Sequence, residues 1–356
     1  MRLLIAVLLV ACTNPSSLDG VVATPAASPA LQCRGPIAFT TTPALTGTTT
    51  SPLRPTNTFS IVARDPMTGD LGVAVQSHWF SVGSLVSWAE PGVGAIATQS
   101  FAEPSYGPKG LALMRDGAPA ADAMNQLVAL DKLKDARQLG FVDARGTAAT
   151  FTGARCIAHA GGYAGDGFAV QANLMANDRV VPAMRRAWET SQGDLAERLL
   201  VVLEAAQEAG GDIRGCQSAA ILVVSGTRTP NAWEGRKLDL RVEDHVAPLV
   251  ELRRLTHLAR AYDLLNRGDA LLEKGDVVGA NEAYAAAGRL EPDHVEMAYW
   301  QGITWASRGN YVRAAPLLKK AFTADPAWIE LVRRMPAAGL LPDGAAAEKA
   351  IEAGRR

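Results

Sequence analysis

The chain has little that would take it to a nucleic acid, a metal or the interior of a membrane. Lys and Arg total 35 against 36 Asp and Glu, for a formal net charge of −1. No Lys/Arg-rich cluster forms a basic patch, which excludes nucleic acid as an expected partner. Five histidines and four cysteines occur without the spacings of a metal site, so no metal or cofactor is expected. There is no Gly-x-Ser-x-Gly elbow, no His-Glu-x-x-His and no phosphate-binding loop ending in Lys. The apolar run Leu3 to Val10 is too short for a bilayer, which needs roughly 20 residues, and no other stretch is long and apolar enough to span one.

What is present divides into four parts. At 356 residues, 48% hydrophobic and 20% charged, the chain suffices for two domains and a sizeable core. Arg2 and the apolar run Leu3–Val10 form a signal-peptide core. Leu9-Val10-Ala11-Cys12 then resembles the lipobox of bacterial lipoproteins. That resemblance implies a signal peptide over 1–11, a lipid on Cys12 and a site in the cell envelope, anchored to the membrane and exposed to periplasm or exterior. Residues 12–57 are the lipidated cysteine and a Thr/Pro-rich linker, too poor in large apolar residues to offset its ordering entropy. Outside the cytoplasm disulfides are allowed. Cys156 and Cys216 are able to pair and Cys33 is able to stay free, but the sequence leaves the pairing open.

From Thr58 the pattern becomes strands. Phe59–Ala63 and Leu71–Ser77 flank a turn with Pro66 early and Gly69 late, a hairpin signal. Val93–Gln99 reads as a third strand, Gly107–Arg115 and Ala118–Leu130 as helices. Arg137–Asp143 and Ala148–Thr152 form a second hairpin, and Phe168–Asn173 another strand. A helical block over 178–209 leads to a last strand, 217–224. Few strands are followed singly by helices, so antiparallel sheets with outer helices fit better than a parallel sheet. Asp239, Arg241, Glu243, Asp244 and His245 read as a solvated charged run after that strand. From about His257 the chain is helical. Gly275 and Gly309, and Pro292 and Pro326, are each separated by 34 positions, the period of tetratricopeptide repeats.

The landmarks Thr58-Phe59-Ser60-Ile61-Val62-Ala63-Arg64-Asp65-Pro66, Gly92–Gln99, Tyr106-Gly107-Pro108, Arg137–Gly140, Gly210–Ala220 and Leu240–His245 occur in one order. Together they resemble the domain-of-unknown-function family 1028, placed among the N-terminal nucleophile (Ntn) hydrolase-like proteins, over roughly 58–257. The resemblance implies an α+β fold, a four-layer αββα sandwich over 58–257, and the 34-residue period adds an all-α tetratricopeptide-like domain over 258–356. It also places Thr58 where the fold's nucleophile belongs, although without the resemblance a β-branched residue opening a strand is explanation enough.

Two candidate roles follow. In one, the protein is an exported Ntn-type hydrolase of an amide or related acyl bond. Thr58 attacks, its own α-amine is the base, and Asn173 helps hold the oxyanion. Ser77, Gln99, Gln171, Gln217 and Ser218 line the pocket of a small-molecule or peptide substrate. Asn173 and Gln171, two apart on a strand, point to one face. His78 beside Trp79 reads as a packed side chain, and Asp212 with Arg214 as a structural ion pair. In the other, the sandwich is a scaffold or binding module of a non-catalytic envelope lipoprotein whose helical repeats bind a protein partner. Forty-five residues separate Cys12 from Thr58. Signal removal therefore leaves the Thr58 amine in a peptide bond, and a second cut, after Asn57, is required.

Overall fold

The structure, a computed structural model, describes Thr56 and residues 58–356. The signal segment, Cys12, Cys33, the rest of the linker and Asn57 lie outside the described residues. Strand β1 (Thr58–Arg64) turns into β2 (Leu71–Ser77), with Thr58 opposite Ser77 and Arg64 opposite Leu71. The turn forms because the Asp65 carboxylate accepts from the amides of Met67 and Thr68. Gly69 then takes a left-handed φ of 76°, which only glycine adopts without strain.

The chain continues through α1 (Gly83–Val86), β3 (Ser87–Glu90), β4 (Gly94–Ser100), α2 (Tyr106–Arg115) and α3 (Ala120–Leu130). Next come β5 (Arg137–Asp143), β6 (Ala148–Thr152), β7 (Gly161–Gly165), β8 (Phe168–Ala172), α4 (Val180–Thr190), α5 (Leu195–Glu208), β9 (Ser218–Val224) and β10 (Arg236–Val242). The strands form a six-stranded antiparallel sheet, β10-β9-β2-β1-β8-β7, and a four-stranded one, β3-β4-β5-β6.

Strand alternation decides what each sheet buries. Phe59, Ile61 and Ala63 of β1 face α4 and α5, against Met184, Trp188, Leu199, Leu200 and Leu203. The opposite parity, Val62 with Leu71, Val73 and Val75 of β2, meets Ala95, Ala97 and Val142 of the second sheet. The far face of that sheet packs Ile96, Leu139 and Phe141 under Tyr106, Leu111 and Met124 of α2 and α3. Each of the large side chains contributes about 1.5–3 kcal/mol by leaving water. The two sheets thus face each other, with helices outside both.

Three strands lie outside the sequence expectation. β10 covers Asp239 and Arg241, read above as part of a solvated run after the last strand. It is instead an edge strand paired to β9 from Arg236–Val224 to Val242–Ala219. Its charges suit an edge that must not recruit another chain, and Asp239 pairs with Arg236 at 2.9 Å. β7 is glycine-rich because it lies close on its neighbours: a Cβ on Gly162 would sit 2.6 Å from Thr150 Oγ1. The third, β3, is a short half-exposed edge.

Beyond β10 the chain is helical: α6 (Pro248–Glu273), α7 (Val277–Leu290), α8 (Val295–Ser307), α9 (Tyr311–Ala324), α10 (Ala327–Arg334) and α11 (Gly344–Arg355). α6 runs unbroken past residue 257. The spacing of the glycines has a physical basis. Gly275 and Gly309 take φ of 82° and 75°. The next residues, Asp276 and Asn310, cap α7 and α9 by accepting from the amides of Gly279 and Arg313. These helices bury their own core around Tyr299, Ile303, Leu318 and Phe322.

α6 is tied to α5 by ion pairs. Arg253 reaches Glu204 at 2.6 Å and Glu197 at 2.8 Å, and Arg260 reaches Asp194 at 2.6 Å and Glu197 at 3.3 Å. Burial pushes the Glu197 carboxyl up, but hydrogen bonds and charge from Arg253 and Arg260 pull it, net, below its ordinary value. A carboxylate depressed on folding adds stability above its unfolded value, about 4.3. That contribution is lost as pH falls through the folded value. Arg253→Ala is therefore expected to cost about 1 kcal/mol at pH 7. In urea titrations across pH its difference from the parent should shrink below about pH 4. A difference independent of pH would show that charge is not what joins α5 to α6.

Candidate functional site

The layer between the two sheets changes character along its length. Toward Leu71 and Val224 it is apolar. Toward Thr58 the same inward parity carries Thr58 and Ser60 of β1, Ser77 of β2, Gln99 of β4, Gln138 of β5 and Gln171 of β8. Asn173 follows just beyond β8. All seven are buried. Buried amides and hydroxyls are costly unless satisfied, and here most of their polar atoms satisfy one another. Ser60 donates to Gln99 Oε1 and accepts from Gln171 Nε2, both at 2.6 Å. Gln138 Oε1 accepts from Gln99 Nε2 and from Asn173 Nδ2, both at 2.8 Å. Gln138 Nε2 donates to Ala172 O and Thr152 Oγ1, both at 2.9 Å. Gly140 makes room: a Cβ there would lie 2.2 Å from Gln171 Oε1.

Thr58 stands at the head of this seam. Its carbonyl accepts from Gln99 Nε2 at 3.2 Å and from the Asn173 amide at 3.1 Å. Its Oγ1 donates to Thr56 O at 2.6 Å and lies 3.3 Å from Ser77 Oγ. Two buried acceptors nearby, Gln171 Oε1 and Asn173 Oδ1, have no donor. Strain gathers at the same end. The non-glycine residues with left-handed backbone among the described residues are Ser81 (φ 54°), Ser100 (69°) and Leu174 (57°). They follow β2, end β4 and follow β8, the three strand ends beside Thr58. Such conformations cost of order 1–3 kcal/mol each and cluster where geometry serves function.

The structure thus brings together Thr58, Ser77, Gln99, Gln171 and Asn173 from the sequence candidates. Ser218 lies on the same row, opposite Ser77, but its hydroxyl holds the loop after β2, bonding Trp79 O and the Val82 amide. Gln217 turns the other way and donates to Asp244 at 3.1 Å. His78 is half-buried, and Asp212 and Arg214 pair at 2.7 Å. Ser60, Gln138 and Thr56 are participants that the sequence reading missed. Ser60 shares the inward parity of Thr58, and that parity was the available signal for it.

Cys156 is free and half-buried. Burial raises its pKa against hydrogen bonds to Ser100 and Gly153 that lower it, which disfavours the thiolate. Cys216 is disulfide-bonded, so the pairing of Cys156 with Cys216 is not made, and the partner of Cys216 lies outside the described residues. Among the described residues no group of three or more His, Cys, Asp or Glu side chains is placed to hold a metal ion. No helix among them is long and apolar enough to cross a membrane.

Fold and site define an α+β protein of two antiparallel sheets with a buried seam of amides and hydroxyls ending at the first residue of its central hairpin. The chain belongs to the family of unknown function DUF1028, matched over residues 58–252. The match begins at Thr58 and stops within α6. A DUF1028 protein from Silicibacter pomeroyi, known from its crystal structure, is 32% identical with a TM-score of 0.52, covering 57% of this chain and 86% of that one. No curated protein matches the chain.

Proposed function

We propose that this protein is an exported hydrolase of the N-terminal nucleophile type, acting on an amide or related acyl bond. The observation that carries the reading is the position of Thr58, its hydroxyl at the head of the seam beneath Thr56 and its carbonyl gripped by two donors. With the Asn57–Thr58 bond cut, the new α-amine has an ordinary pKa of about 7.7–8.0 and lies beside Oγ1. It takes the hydroxyl proton as Oγ1 attacks the substrate carbonyl carbon. The second hydrogen of Asn173 Nδ2, whose first goes to Gln138 Oε1, is offered to the oxyanion; one such donor is worth about 2.7–4 kcal/mol. The proton passes to the leaving amine, and water then hydrolyses the ester on Oγ1 and restores the threonine. Ser77 and the acceptors of Gln171 and Asn173 orient the amine and substrate.

The layered architecture is the finer part of this reading, an αββα sandwich of the Ntn-hydrolase kind. The 34-residue shift between α7 and α9 supports a tetratricopeptide-like region that holds a protein partner. The Leu-Val-Ala-Cys sequence supports anchoring through lipid on Cys12 in the cell envelope. Mass spectrometry of protein taken from membranes tests the reading. The expected result is a chain beginning at Thr58 wherever amide hydrolysis is found. Hydrolysis by a chain unbroken from Cys12 through Thr58 would overturn it.

A second reading, a non-catalytic envelope module, draws on Thr56, which is buried and covers the Thr58 hydroxyl. It requires the Thr58→Ala phenotype to match wild type while changes on the helical surface abolish function.

A further inference from the structure

Thr56 is held by a slot built for extended backbone. β3 pairs with β4 only as far as Ser87 opposite Ala97. Beyond that point the β4 edge is free of β3, and Thr56 occupies it as an antiparallel bridge to Ser100. Its N–H donates to Ser100 O at 2.6 Å, and its carbonyl accepts from Ser100 N–H at 3.2 Å. Its hydroxyl donates to Ser100 O at 2.8 Å. The same carbonyl takes the Thr58 hydroxyl at 2.6 Å. Both Thr56 and Ser100 are buried, and Ser100 holds its amide and carbonyl in place with a left-handed φ of 69°. The chain thereby passes from the six-stranded sheet at Thr58 to the four-stranded sheet at Thr56.

A cut after Asn57 ends the covalent hold on this segment. It leaves a Ser100 amide and carbonyl facing an empty, residue-sized slot beside the nucleophile. Main-chain pairing of this kind recognises extended peptides, with the side-chain pocket setting preference. We infer that the Ser100 edge of β4 is a peptide-binding subsite, and that the substrate is an extended peptide with threonine or serine in the place of Thr56. The bond cut follows the next residue. The position of that bond rests on the hydrolase reading, whereas the binding itself does not. Thr56-Asn57 is then the first peptide the site meets, and released leader is a competitive product.

The test uses the full-length chain. Thr56→Pro removes the N–H and hydroxyl that seat the chain's own segment, and Thr56→Gly removes only the side chain. A fluorescent acetyl-Leu-Arg-Pro-Thr-Asn-amide peptide, copied from residues 53–57, is titrated against both variants and the parent. Binding is expected in the variants and at least tenfold weaker in the parent, whose slot is filled. N-methylation of the peptide's threonine nitrogen deletes the donor to Ser100 O and should weaken binding by about tenfold or more, the equivalent of about 1.4 kcal/mol. Equal binding of the methylated and parent peptides overturns the subsite. So does absence of peptide binding in a variant whose Ser100 amide exchanges freely with deuterium. Specific peptide binding by protein whose chain begins at Thr58 but which hydrolyses nothing sinks the hydrolase reading and leaves the subsite standing. Hydrolysis of simple acyl amides with no gain from a threonine-containing peptide does the reverse.

Discussion

Thr58→Ala, in protein whose chain begins at residue 58, is expected to abolish hydrolysis. Loss of a covalent nucleophile costs on the order of 10⁶-fold in kcat, because the step through the Oγ1 ester has no substitute. Thr58→Ser keeps the hydroxyl and should keep measurable activity. Acetylating the α-amine leaves the hydroxyl in place but removes the base, and should silence the enzyme as thoroughly. The pH profile separates this mechanism from one with an external base. The amine acts unprotonated, so kcat/KM should rise with pH through about 7.7–8.0 and level above it. Thr58 is buried at the end of β1, and the alanine keeps Phe59, Ile61 and Val62 in register. Circular dichroism of the variant should therefore match the parent. An active Thr58→Ala protein would remove Thr58 from the chemistry.

Much of this site was legible because local and global signals agree along β1 and β2. Alternation, the Asp65–Gly69 turn and the abrupt end of the Thr/Pro-rich segment all mark Thr58 as the start of a folded unit. That Gln171 and Asn173 share one face followed from strand parity, and their place beside Thr58 from the family resemblance. Gln217 and Ser218 show where that logic stops. They are adjacent, so only one can face inward, and the sequence does not say which. Ser218 enters the row opposite Ser77, and Gln217 turns to Asp244. Gln138 was missed for a related reason. Its importance depends on β5 facing β1 and β8 across the sheets, a long-range fact that no window of sequence contains. β10 was missed because an edge strand is allowed to be charged, which is also how a solvated loop reads. Thr56 was read as linker because its pairing to Ser100 joins positions 44 apart.

Gln138→Leu is the packing counterpart of the Thr58 experiment and should be the most destabilising single change in the seam. Gln138 Oε1 accepts from Gln99 and Asn173, and its Nε2 serves Thr152, Gly161 and Ala172. Leucine has similar volume and no polar atoms, so the loss is of partners rather than of space. Gln99 Nε2 retains the carbonyls of Thr58 and Gln171, but Asn173 Nδ2 and the Ala172 carbonyl lose buried partners. Each orphaned group costs about 1–3 kcal/mol, and the network couples them. We expect a total loss of roughly 3–5 kcal/mol in urea unfolding. Asn173→Leu alone should cost less, and adding it to Gln138→Leu should cost less than the sum, since the two share a bond. Strict additivity would mean that they do not act together. Because the Asn173 backbone N–H also holds the Thr58 carbonyl, the surviving folded fraction of Gln138→Leu should lose kcat while retaining peptide binding at Ser100. That split would assign the seam to aligning the nucleophile and the β4 edge to holding the substrate.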